Sequence, residues 1–176
     1  MKAASVSEIK QELKNASQQE LLEVCIRLIK YKKENKELLS YLLFEENDLP
    51  SYLANVKTEM DEQFTQINRT NLYFAKKSLR KILKNTNKYI KYTASKEAEI
   101  SLLIYFCNKI KLSGIRIHKS TALTNLYNNQ IKKIKAAIET LHEDLQYDFN
   151  KEIIELELKP NTNKILIFTK RILIFV

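Results

Sequence analysis

Apolar residues recur along this chain at the spacing of amphipathic helices up to about Lys159. Ser7 is a candidate cap for a short first helix through Leu13, and the segment 17–20 (Ser-Gln-Gln-Glu) matches a capping box. A later helix ends just before Pro50, a residue that suits the first turn of the helix after it. The helix opened by the capping box carries one apolar face, formed by Leu21, Val24, Cys25, Leu28 and Ile29.

The middle of the chain has the clearest helical pattern. Ser95 is predicted to cap a helix that runs through Ile110, and Gly114 marks the strongest break. These signals predict an all-α protein, either a multi-helix bundle or a short HEAT/armadillo-like α-solenoid of about seven helices. Between about Thr70 and Tyr92 one helix face is formed by Leu72, Ala75, Leu79, Ile82, Leu83, Thr86 and Ile90.

Beyond Gly114, apolar residues step alternately by four and three positions, which is the spacing of a heptad seam. A helix from Thr121 to Leu158 would carry this seam, with a break or kink expected near 146–150. Such a seam favours contact with another helix, either of a protein partner or of a second copy. The candidate seam contacts are Tyr127, Ile131, Ile134, Ile138, Leu141 and Leu145.

The pattern predicts one helical domain over residues 1–159. Residues 160–176 differ in character, because two short apolar runs of high β-propensity flank a basic break. Three interpretations of this tail stay open: a docked terminal strand, a non-native end left by truncation or an out-of-frame extension, and a membrane-surface anchor.

Composition supports helices, since the chain has one glycine and two prolines. No apolar run is long enough to span a bilayer, and the N-terminus lacks the apolar core of a signal peptide. These features predict a soluble cytoplasmic protein. Cys25 and Cys107 each lie among apolar neighbours and are expected to be free core thiols.

Positive charge is concentrated in the central part of the chain. Residues 69–135 hold 16 basic and 2 acidic residues, whereas the segments on either side are slightly acidic. Six of these cations lie on one arc opposite the apolar face of the central helix, in a row about 21 Å long. We call them the basic ridge: Lys77, Arg80, Lys81, Lys84, Lys88 and Lys91.

The basic ridge has two interpretations. Lysines spaced along one face can replace the counterions of phosphates, which favours RNA or DNA as a partner. Alternatively, the ridge is only the solvated outer side of an amphipathic helix. Lys132, Lys133 and Lys135 would extend the patch if their helix lies beside it.

Catalytic signatures are scarce in the sequence. One glycine excludes a Gly-rich phosphate loop, and Glu139 with His142 gives only one copy of a motif that di-iron bundles use twice. No catalytic, cofactor-binding or metal-binding residue is therefore predicted, and the protein is not expected to be an enzyme. An enzyme would instead require a pocket lined by groups such as Tyr105, Asn108 or His118.

Two parts of the sequence resemble known helical proteins. Ser17 to Asp48, about a fifth of the chain, resembles one unit of a HEAT or armadillo array, although the proline frequent in HEAT units is missing and no second unit follows. The segments 76–83 and 141–148 resemble uncharacterised bacterial helical proteins, and this resemblance implies no function.

The sequence does not specify a biochemical activity. The leading hypothesis is a non-enzymatic helical protein-interaction or self-assembly module, with a protein partner or a homo-oligomer. The alternative is a nucleic-acid-binding protein that uses the basic ridge.

Overall fold

The computed structural model describes residues 2–157, and over this range the chain is helical without strands. The predicted all-α class is confirmed, and the described residues form eight α-helices where about seven were expected. A 3₁₀ turn, Ile117–Lys119, precedes α7. The helices are α1 Val6–Asn15, α2 Gln18–Tyr31, α3 Lys33–Phe44, α4 Leu49–Thr65, α5 Leu72–Thr93, α6 Lys96–Leu112, α7 Thr121–Ile138 and α8 Glu143–Glu157. The predicted tail 160–176 lies outside the described residues.

Local signals set most helix boundaries. Ser17 Oγ accepts from the Glu20 amide while Glu20 Oε2 accepts from the Ser17 amide, as the capping box predicts. Ser95 caps α6 through the Ala98 amide, and Pro50 lies in the first turn of α4. The first helix begins earlier than predicted, because Ser5 rather than Ser7 forms its capping box with Glu8.

The helix break after α7 was predicted in the wrong place. It lies between Ile138 and Glu143, several residues before 146–150. Here the Thr140 hydroxyl donates to the Ala137 carbonyl, and the Leu141 amide bonds to Ile138, so the helix tightens and stops. Acidic residues at the start of α8 then suit its positive N-terminal end.

The described residues form two compact units, 2–47 and 48–157. The single helical domain over 1–159 that the sequence predicts stays a prediction. In the first unit α2 packs against α3. In the second unit α6 contacts α4, α5, α7 and α8 and is buried along most of its length. The second unit is therefore a bundle around one central helix.

A Gly at the end of α6 allows the chain to turn. Gly114 has φ 73°, a conformation that costs little only for glycine. Within residues 2–157 no helix has both the length and the apolar character required to cross a bilayer.

Candidate interaction surfaces

The basic ridge lies on the outer side of α5. Asn71 begins this helix by accepting from the Tyr73 and Phe74 amides, and the opposite side buries Ala75, Leu79, Ile82, Thr86 and Ile90. Five ridge cations are exposed, whereas Lys88 is half-buried with its ammonium 4.5 Å from the centre of the Tyr89 ring. Five of the six cations are therefore accessible to solvent on the outer side of α5.

The ridge cations differ from several other lysines of this unit, which form ion pairs with acids. Lys109 pairs with Asp61 at 2.7 Å, and Lys135 pairs with Glu157 at 2.6 Å. In contrast, Lys88 aside, no ridge residue forms an ion pair with an acid in the described part of the chain. Their charge is consequently not neutralised locally.

The three lysines of α7 do not extend the ridge as one patch. Lys133 reaches α5, where its Nζ lies 3.1 Å from Asn87 Oδ1, but it also pairs with Glu99 at 2.9 Å. Lys135 points elsewhere, toward Glu157, and Lys132 is exposed. Consecutive helical residues diverge in direction, which explains why only Lys133 approaches the ridge helix.

A cleft of about 280 Å³ opens at the ridge's C-terminal end, where α5, α6 and α7 meet. Its lining includes Lys91 of the ridge, Lys96 at the start of α6 and Lys133 of α7. Glu99 is 9% exposed, and its carboxylate pairs with two lysines. Lys96 Nζ lies 2.9 Å from Glu99 Oε2, and Lys133 Nζ lies 2.9 Å from Glu99 Oε1. Burial by itself raises the pKa of Glu99, but the bonds and charges of the two lysines outweigh it and hold the pKa below its usual value.

The candidate seam lies mostly inside the second unit. Ile131, Ile134 and Ile138 are buried, and the Tyr127 hydroxyl donates to the Leu156 carbonyl at 3.2 Å. Burial raises the pKa of Tyr127 to about 12. Leu141 and Leu145 are half-buried, and they follow the break between α7 and α8. These residues join α7 to helices of the same unit rather than presenting a continuous external seam.

Residues considered for an enzyme are dispersed. The Tyr105 hydroxyl donates to Asp61, whose carboxylate also forms an ion pair with Lys109. His118 is exposed. His142 is also exposed and lies 3.5 Å from Asp144. Across residues 2–157, no group of three or more His, Cys, Asp or Glu side chains is arranged to hold a metal ion.

Both thiols are free, as the sequence predicts, but only Cys107 lies in the core; the prediction of a core position was wrong for Cys25. Cys107 is buried in α6, and desolvation raises its pKa to about 12. A thiol of this kind is not a nucleophile at neutral pH. Cys25 is half-buried in α2.

The first unit exposes most of the large apolar side chains. Among the described residues, eleven of the sixteen exposed large hydrophobics lie in residues 2–47, but only one of 26 buried hydrophobics, Tyr41, does. Helix α1 buries no side chain, and neither does α2. The exposed set in this unit, which we call the apolar surface, is Val6, Ile9, Leu13, Leu22, Val24, Ile26, Leu28, Tyr31, Leu42, Leu43 and Phe44.

The distribution of apolar residues around α2 explains much of this exposure. Viewed down the helix axis, the apolar residues of α2 span an arc of about 220°, with Tyr31 at one edge and Ile26 at the other. This arc is more than twice that of an ordinary amphipathic face. One stripe, Leu21, Cys25 and Ile29, is half-buried in a unit where α3 packs on α2. Apolar residues on either side of that stripe remain exposed.

Comparison with protein-family models, with curated proteins and with solved structures finds no match for this chain.

Two features were missed at the sequence level. The width of the apolar arc on α2 is visible in the sequence and could have indicated the apolar surface. The cleft has no such signal, because its lining residues come from three helices and include Asn87 and Lys133, 46 positions apart.

Proposed function

We propose that this protein is a non-enzymatic helical module that self-associates through the apolar surface of its first unit. The observation that carries the proposal is the uneven distribution of exposed large apolar residues: of the sixteen in the described part of the chain, eleven lie within residues 2–47. Large apolar side chains that stay exposed together in one part of a protein mark interaction sites more often than ordinary surface does.

Helix α1 gives the strongest local support. Val6, Ile9 and Leu13 share one side of this ten-residue helix, yet all three are exposed, and Val6 is 83% exposed. Isolated helices of this length are marginally stable in water. Covering its apolar side would stabilise it.

The net charge of the first unit permits a second copy as the occupant. Residues 1–47 contain eight basic and eight acidic residues, so two copies of this unit do not repel each other. The rest of the chain carries the whole net charge of +9. Two α2–α3 hairpins joined by a two-fold axis would also form a four-helix arrangement, a common way to cover wide apolar helices.

The test is the molar mass of the full chain by size-exclusion chromatography with light scattering, over a range of concentrations. We expect a dimer or larger species. The triple variant Leu22→Gln, Leu43→Gln and Phe44→Gln changes residues that are 61%, 62% and 81% exposed. Because fully burying each such side chain is worth about 1.5–3 kcal/mol, the dissociation constant should rise by more than about 100-fold.

A matched control changes apolar residues of similar exposure in the second unit. Tyr73→Gln, Leu112→Gln and Ile154→Gln alter residues that are 65%, 77% and 57% exposed and should leave the molar mass unchanged. A monomeric wild type would refute the proposal, and so would equal effects of both triple variants. Loss of association in a chain ending at Lys159 would assign it to the tail instead.

A second candidate function, RNA or DNA binding by the basic ridge, is supported by the exposed ridge cations that lack acidic partners. Fluorescence anisotropy with a labelled oligonucleotide should give micromolar binding that weakens steeply with salt. Lys77→Gln, Lys81→Gln, Lys84→Gln and Lys91→Gln together should abolish it. No binding at about 50 mM salt would exclude this function.

The matched control for the ridge removes the same number of lysines from the first unit. Lys10, Lys14, Lys30 and Lys36 are exposed and lie outside α5. Their replacement by glutamine lowers the net charge equally, so it should leave ridge-dependent binding intact. Equal loss in both variants would show only a general effect of net charge.

A further inference from the structure

The cleft between α5, α6 and α7 combines a built geometry with an excess of positive charge. Its lining includes three lysines and one carboxylate, so the lining has a net charge of +2. A volume of about 280 Å³ is large enough to admit a small ligand. We propose that this cleft binds a phosphate group, independently of self-association through the first unit.

Glu99 is central to the geometry of the cleft. Its two oxygens each accept from a different lysine, Lys96 and Lys133, and Lys133 also donates to Asn87. These bonds hold both ammonium groups in place before any ligand arrives. A site whose donors are already positioned pays less entropy on binding.

Hydrogen-bonding capacity remains for a ligand. Each ammonium has three protons, of which Lys96 uses one on Glu99 and Lys133 uses two. Lys91 forms no ion pair with an acid in the described residues and lines the same cleft. The remaining donors and the charge of +2 match the acceptor oxygens and charge of a phosphate monoester dianion.

The cleft and the basic ridge share one residue. Lys91 belongs to both, so cations continue from the outer side of α5 into the cleft. The shared chemistry is the phosphate group, which a small phosphorylated compound or the end of a nucleic acid strand can supply.

The probe is inorganic phosphate, titrated into the full chain while lysine side-chain ammonium signals are followed by NMR, with chloride at equal ionic strength as reference. We expect saturable shifts at Lys91, Lys96 and Lys133 with a millimolar dissociation constant. Lys91→Gln should weaken binding by about 5- to 10-fold, since it removes one charge-assisted hydrogen bond at a partly solvated site.

Lys84→Gln is the matched control, because Lys84 lies on the same helix two turns earlier, is exposed and does not line the cleft. It should change the phosphate dissociation constant by less than about twofold. Shifts that never saturate, or that respond equally to both variants, would overturn the proposal. These readouts do not depend on oligomeric state or on oligonucleotide binding.

Oligonucleotides with and without a 5′-phosphate identify the source of the group. A stronger affinity for the phosphorylated strand, lost in Lys91→Gln, assigns the cleft to a nucleic acid end. Equal affinities, together with saturable binding of inorganic phosphate, assign it to a small phosphorylated compound.

Discussion

Lys133→Met removes the ion pair that joins α7 to α6, together with the bond from Lys133 to Asn87. The substitution removes the ammonium that lies 2.9 Å from Glu99 Oε1 and keeps a similar side-chain length. Glu99 would then remain buried, its side chain 11% exposed, with Lys96 as its single charged partner. The charge of Lys133 would then no longer offset the free-energy cost of burying the Glu99 carboxylate.

The magnitude follows from burial. Breaking a fully buried pair costs about 3–5 kcal/mol, because a charge is left without compensation. Here the Lys133 side chain is 44% exposed, and Lys96 still reaches Glu99. Solvent screening lowers the estimate, so we expect the free energy of unfolding to fall by about 1–2 kcal/mol.

The pH dependence gives a sharper check. The pKa of Glu99 is lowered by its lysines, so the stabilisation from this pair is fully present above the unfolded pKa of about 4.3 and is lost as the pH falls through the lower folded pKa. The difference between wild type and Lys133→Met should therefore be largest near neutral pH. It should shrink as the pH falls below about 4.

Urea unfolding followed by far-ultraviolet circular dichroism measures these differences, with amide exchange in α6 as a local readout. The Glu99→Gln background is the control, since Lys133→Met should cost less there when no buried carboxylate is present. An equal cost in both backgrounds, or an equal cost at pH 3 and pH 7, would refute the assignment of stability to this pair.

Three further predictions concern the second unit and the cysteines. Leu79→Ala on the buried side of α5 should lower the free energy of unfolding by about 2–5 kcal/mol in urea, whereas Lys81→Ala on the exposed side should change it by less than about 0.5 kcal/mol. Gly114→Ala should cost about 1–2 kcal/mol in the same assay, because φ is 73° although space for a methyl group is open. Cys107 should resist a thiol reagent at pH 8 until the protein is unfolded, while Cys25 reacts earlier; rapid native labelling of Cys107 would contradict its burial and raised pKa.

Much of the local structure could be predicted from the sequence. The Ser17 capping box, the Ser95 cap and the two sides of α5 depend on residues within a few positions of each other. The break after α7 was harder to place, because the heptad spacing continues through residues that do not remain helical. There Thr140 and neighbouring amides form short-range bonds instead.

The sequence by itself determined that the chain is helical and that six cations share one side of α5, since helical periodicity is a local property. Only the tertiary structure decided which charges are neutralised. Lys133 and Glu99 are 34 positions apart, and their pairing depends on how α7 packs beside α6. The same packing buried the seam of α7 and opened the cleft, while the wide apolar arc of α2 stayed largely exposed because its packing against α3 buries only part of the arc.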